Sequence, residues 1–170
     1  MKSSGLFVFV LGLGLVLAGC ASLNPSFGIM FFGQQDKKTQ QTIDGTLTLE
    51  SFCVFPLGMG FSSNDDMGLK IAKTERNGQK EYYFVAEVHT GNWVFAENIA
   101  VKFDDKIYQL HDDSPTRVVR TGNYVIEVLT FKITPEMLQS LQTSNNFTAE
   151  LYKRVVSVDG KNLQSIKDFL

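Results

Sequence analysis

From Thr46 onward, apolar and polar residues alternate in short runs broken by Gly, Asn, Asp and Pro. A strand with one buried face requires period-two alternation, so the pattern predicts strands over 46–55, 69–75, 80–90, 94–103, 107–110, 117–121, 124–133 and 147–158. Asn77-Gly78 separates the second from the third. Both central residues of a type I′ turn need positive φ, so a tight hairpin is expected there. Asp104-Asp105 and Thr121-Gly122-Asn123 should reverse the chain in the same way. Two segments switch to helical spacing. Thr134-Pro135-Glu136 supplies an N-cap, a first-turn Pro and an acidic residue suited to the helix dipole, and predicts a helix over 135–142. Leu163, Ile166, Phe169 and Leu170 share one side of a second, over 162–170. The expected fold class is mainly β, an antiparallel sandwich-like domain with one or two short packed helices.

The N-terminal part departs from this pattern. One Lys precedes an apolar run over 6–17, interrupted only by Gly12 and Gly14. Twelve residues are too few for a hydrocarbon core of about 30 Å, which needs about 20 in a helix, so the run suits a secretory signal and not a span. Leu17-Ala18-Gly19-Cys20 follows, and it resembles the lipobox of bacterial lipoproteins at every position. The resemblance implies diacylation of the Cys20 thiol, cleavage before Cys20 and acylation of the new amine. Each buried CH₂ contributes about 0.8 kcal/mol, so two or more chains anchor a protein stably. The implied partner is a membrane, through lipid on Cys20, in the bacterial cell envelope. Ala21 stands where Asp often signals inner-membrane retention in such lipoproteins, which favours the outer membrane if the source has two. The expected organisation is signal peptide 1–19, lipidated N-terminus and tether 20–42, and β-rich globular domain 43–170. Within the tether, 34–41 is polar, while Phe27-Gly28-Ile29-Met30-Phe31-Phe32 reads either as an interfacial contact beside the anchor or as a first edge strand.

Composition narrows the function without naming it. A domain of about 150 residues buries enough surface to fold without disulfides or metals. The net charge is −2, from 16 basic and 18 acidic residues, too weak a field for a nucleic-acid partner. Besides Cys20 the chain has only Cys53, which cannot form an internal disulfide and shares the apolar period-two face of Leu47 and Leu49; a buried thiol is expected. The two histidines, His89 and His111, have no metal-binding spacing, and no G-x-S-x-G elbow places a nucleophilic serine. Asn64-Asp65-Asp66, Asp104-Asp105 and Asp112-Asp113 lack the pattern of a Ca²⁺ loop and suit turns. Gly58-Met59-Gly60 has no following Lys-Ser/Thr, so it reads as a turn and not a phosphate loop. No cofactor is implied.

Two acidic residues interrupt otherwise apolar alternations: Glu97 in the set Trp93, Phe95, Glu97, Ile99, Val101, Phe103, and Glu127 in Val125, Glu127, Leu129, Phe131, Ile133. A carboxylate facing a core must be paired, and Arg117, Arg120 and Arg154 are the candidate partners. The alternatives are a β-bulge that turns each Glu to solvent, or an acid/base pair. Trp93-Val94-Phe95, the turn in Lys102-Phe103-Asp104-Asp105-Lys106, 117–122, Thr134-Pro135-Glu136 and Phe169-Leu170 together resemble a pattern in small, mostly uncharacterised bacterial envelope proteins. That resemblance implies a fold and a compartment, and no reaction. The expectation is therefore a non-enzymatic envelope protein that binds or scaffolds, with another envelope protein as a candidate partner. The rivals are an envelope hydrolase using a carboxylate pair and a small subunit of a larger envelope assembly.

Overall fold

The structure is a computed structural model that describes residues 32–42, 45–55, 65–120, 124–152 and 154–170. Expectations for the signal segment, Cys20, the turn at 58–60 and the turn at 121–123 lie outside the described residues.

Ten strands form two antiparallel sheets among the described residues. In chain order they are β1 Gln35–Thr42, β2 Gly45–Phe55, β3 Asp65–Arg76, β4 Gln79–Thr90, β5 Asn98–Phe103, β6 Lys106–His111, β7 Thr116–Arg120, β8 Tyr124–Ile133, β9 Asn146–Leu151 and β10 Arg154–Asp159. Helix α1 spans Pro135–Thr143 and α2 spans Gly160–Phe169. The larger sheet has the order β1-β2-β3-β4-β8-β7 and the smaller β10-β9-β5-β6. Asn77 and Gly78 both take positive φ, 51° and 78°, as the β3–β4 hairpin requires. Thr134 caps α1 by accepting a hydrogen bond from the Met137 amide, and Met137 and Leu141 turn inward.

The sheets face each other across one apolar core. Phe84 on β4 stacks on Phe147 of β9 at 5.8 Å, and Phe147 on Phe103 of β5 at 5.5 Å, so a column of rings joins the two layers. Helix α2 closes one side through Leu163, Ile166 and Phe169, tied down where Tyr82 Oη donates to the Leu170 carbonyl at 2.6 Å.

Three sequence expectations need correction. The polar stretch read as the end of a tether over 20–42 is strand β1 from Gln35, paired with β2 along its length; Phe32, just before it, packs edge-on against Phe52. An edge strand satisfies its backbone on one side only and tolerates polar side chains, and Lys37 bonds Glu50 across the ladder at 2.6 Å. The folded domain therefore begins ahead of residue 43. The run over 147–158 is two strands, because Tyr152 takes φ 54° and the chain reverses. The run over 94–103 enters the sheet only at Asn98, for a reason that lies in the loop before it.

Candidate functional site

Strand β4 ends at Thr90 and β5 begins at Asn98, so the intervening loop passes from one sheet to the other. Glu127 lies beneath it on β8, opposite Val88 of β4 and Arg117 of β7, on the core side with Leu129 and Phe131. Its side chain is fully buried and both oxygens are occupied. Oε1 accepts from the Val94 and Phe95 amides at 2.8 and 3.0 Å, and Oε2 from the Ala96 amide at 2.9 Å and Arg117 Nε at 3.3 Å. Three successive amides pointing at one carboxylate need a tight bend, and Phe95 makes it with φ 52°. The left-handed region costs an L-residue about 1–2 kcal/mol and is a genuine outlier for a bulky side chain.

That bend turns Phe95 outward, 63% exposed, beside Trp93 at 38% with ring centroids 6.3 Å apart. The Arg117 guanidinium lies 5.3 Å from the Phe95 ring centroid. It also bonds the Ala96 carbonyl at 3.4 Å and Glu97 Oε1 at 3.3 Å. A buried carboxylate thus fixes a loop whose outer surface is two aromatic rings and a guanidinium.

Of the five residues proposed for an ion-pair network, the structure brings together Glu97, Arg117 and Glu127. Arg120 is on β7, with its side chain outside the described residues. Arg154 is exposed at the start of β10 in the other sheet, and no bond to Glu127 comes from it. Glu97 does not point into the core. Ala96 is buried and β5 begins only at Asn98, so the alternation of Ile99, Val101 and Phe103 does not reach back to Glu97, whose side chain is 45% exposed and meets the same Arg117 from outside. The two carboxylates share a guanidinium, but Glu127 has no surface from which to give or take a substrate's proton.

Sequence reasoning missed a second charged cluster, on the face of the larger sheet turned away from the smaller one. Lys70 of β3 and Glu87 of β4 are diagonal neighbours, Nζ to Oε1 2.9 Å, with side chains 5% and 1% exposed. His89 Nε2 stands 3.4 Å from Glu87 Oε2, too poorly aligned for a hydrogen bond, and neither atom has another partner among the described residues. Burial pushes the Glu87 carboxyl up, yet the combined pull of His89 and Lys70 outweighs it and holds the group below the usual carboxylate range. Burial holds the Lys70 ammonium below its ordinary value despite Glu87. Cys53, opposite Lys70 on β2, is buried and free, its pKa pushed up to about 11 by burial first and then by the charges of Glu87 and Asp36. Such a thiol is not a ready nucleophile.

The remaining candidates are more ordinary. His111 bonds Asn98 and faces Asp113 at the surface. Asp112 caps the Thr130 amide at 2.7 Å where β7 no longer covers β8. A polar depression of about 470 Å³ outside the smaller sheet is lined by Lys102, Asp104, Asp105, Thr148, Ser157 and Asp159. Asp104 already uses both oxygens on the Asn145 and Asn146 amides. No group of three or more metal-ligating side chains, and no helix long and apolar enough to cross a membrane, occurs among the described residues. Comparison with protein-family models, with curated proteins and with solved structures finds no match.

Proposed function

We propose that this is a lipid-anchored protein of the bacterial cell envelope that acts by binding or scaffolding, with the loop around Phe95 as its contact surface. The anchor rests on the resemblance of Leu17-Ala18-Gly19-Cys20 to a lipobox, and Ala21 favours the outer membrane. The observation that carries the binding role is Phe95 itself. A large apolar residue sits 63% exposed in a backbone region where Gly or Asn would fold at less cost. Strain of this kind, held in place by a fully buried carboxylate, collects where a surface has work to do. Trp and Arg beside it are the residue types that dominate contact energies at interfaces.

The carboxylate-pair hydrolase loses its leading pair, because Glu127 is consumed in holding the loop. Two measurements test the proposal. Cys20→Ser should abolish incorporation of labelled fatty acid and leave a precursor that is uncleaved; normal labelling would remove the anchor. A photo-crosslinking residue at position 95 should give adducts in intact envelopes. The same probe at Ile107, equally exposed but on the smaller sheet, should give none. Equal yields at the two positions would remove the loop as the contact surface.

A further inference from the structure

We propose that Trp93 and Phe95 form a second membrane contact, seated at the headgroup–acyl boundary of the bilayer that holds Cys20. This rests on the lipid-anchor reading and names the surface that the loop binds. The first argument is topological. Strand β1 enters the larger sheet from the direction of the end at which β4 stops and β8 starts, where Thr90 pairs with both Asp65 and Val125; Gln35 itself is level, through Phe52, Ile71 and Phe84, with Phe131, six residues or about 20 Å short of that end. The Gly33 amide, donating to the Cys53 carbonyl at 2.9 Å, fixes the direction from which the chain comes in. From β1 to β8 is four strand spacings, about 19 Å, so with the offset along the strands the entry of β1 and the loop are about 28 Å apart. The twelve residues from Ala21 to Phe32 reach at most about 40 Å. That reach exceeds the separation, so the anchor and the exposed rings can sit on one bilayer, on the side from which the chain enters the sheet.

The chemistry of the loop fits an interface between water and hydrocarbon. Trp prefers headgroup depth, and Phe offers an apolar ring to the acyl boundary. Arg117 is shared between Glu97 and Glu127, so it holds the loop beneath the rings and the two aromatic side chains make the contact. Area argues against a protein partner as the occupant. Two aromatic side chains cover at most about 300–500 Å², against roughly 800 Å² per side in a stable protein interface. A membrane contact needs no such area, because the anchor already supplies proximity and the second contact is intramolecular. Glu127 holds the loop in its outward form, so no ordering accompanies insertion.

Trp93 is the only tryptophan in the chain, so its emission reports this contact directly. Lipidated full-length protein, purified in detergent, is reconstituted into phosphatidylethanolamine/phosphatidylglycerol vesicles with and without phosphatidylcholine brominated near the headgroup end of its acyl chains. The expected result is a blue-shifted Trp93 emission, lost to the brominated lipid and shielded from aqueous iodide. Phe95→Asp keeps a side chain that tolerates positive φ at an exposed position, so the protein folds. It should still sediment with the vesicles but lose both the shift and the quenching. Trp93 that is iodide-accessible and unquenched by brominated lipid, in protein that sediments with vesicles, would overturn the second contact while leaving the anchor. So would quenching unchanged in Phe95→Asp. Protein that does not sediment removes the anchor, and the second contact with it.

Discussion

Glu127 offers the most exacting test of how the loop is held. Glu127→Ala removes the acceptor for three amides and leaves Arg117, three-quarters buried, without its inner partner. Breaking a buried ion pair by deleting one member costs about 3–5 kcal/mol. Val94 and Phe95 lie near the surface, where water takes up part of what their amides lose, which places the expectation at about 3 kcal/mol. For a chain of this size that is a fall in Tm of about 6–12 °C. Glu127→Gln keeps one acceptor oxygen but presents an NH₂ to two donors whichever way it is turned, so about 2 kcal/mol is expected. Glu97→Ala deletes the half-exposed partner of the same guanidinium and should cost under about 1 kcal/mol.

Urea melts rank the three variants, and backbone hydrogen exchange at residues 94–96 locates the effect. The loop amides should lose protection in Glu127→Ala at denaturant concentrations where β3 and β4 remain fully protected. Glu127→Ala melting with the parent protein would refute the reasoning. So would loop amides that exchange no faster than before, because either result would mean that the carboxylate is not what holds the bend.

Phe95→Gly relieves the left-handed φ and removes no core contact, so its stability should stay within about 1 kcal/mol of the parent; a loss above about 2 kcal/mol would make Phe95 structural. Lys70→Met should destabilise by about 3–5 kcal/mol, whereas Lys70→Met/Glu87→Leu should recover most of that loss, since the charge left behind carries the penalty; an additive double mutant would refute it. The Glu87 carboxyl is held below its unfolded value, so its stability contribution is full above about pH 4.3 and declines as pH falls through the folded value. Acid melts of the double mutant should show a shallower decline, made partial by Glu50, which Lys37 and Lys73 also hold low; an identical pH profile would count against the pair. Cys53 should resist maleimide at neutral pH in the native state and react on denaturation, while rapid native labelling would place it at the surface.

The strands were legible because most of the sheet obeys a local rule. The Asn77-Gly78 turn and the Thr134 cap are properties of a few adjacent residues, and both formed where the sequence puts them. β1 was hidden because an edge strand does not require an apolar face, so its polar residues read as tether. The turn at Tyr152 was hidden for a related reason. No Gly or Asn marks it, and apolar residues lie close on either side.

The charged residues divide along the same line. Glu127 could be picked out because it breaks a one-sided pattern, and its partner Arg117 was among the candidates. What period-two counting could not show is that its main partners are backbone amides of a loop more than 30 residues away in sequence. Glu97 was misplaced because the alternation of Ile99, Val101 and Phe103 was carried back past the start of β5 at Asn98, into a loop that buries Ala96 instead. Lys70 and Glu87 escaped for the opposite reason. Each sits among apolar residues of both parities, Leu69-Lys70-Ile71-Ala72 and Val85-Ala86-Glu87-Val88, so neither breaks an alternation. Runs apolar in both parities belong to strands buried on both faces, as β3 and β4 are. A charge within such a run has no solvent side to turn to and must find its counter-charge on a neighbouring strand. Here Lys70 and Glu87 answer each other one diagonal apart across the β3–β4 ladder, a pairing that the Asn77-Gly78 hairpin fixes in register.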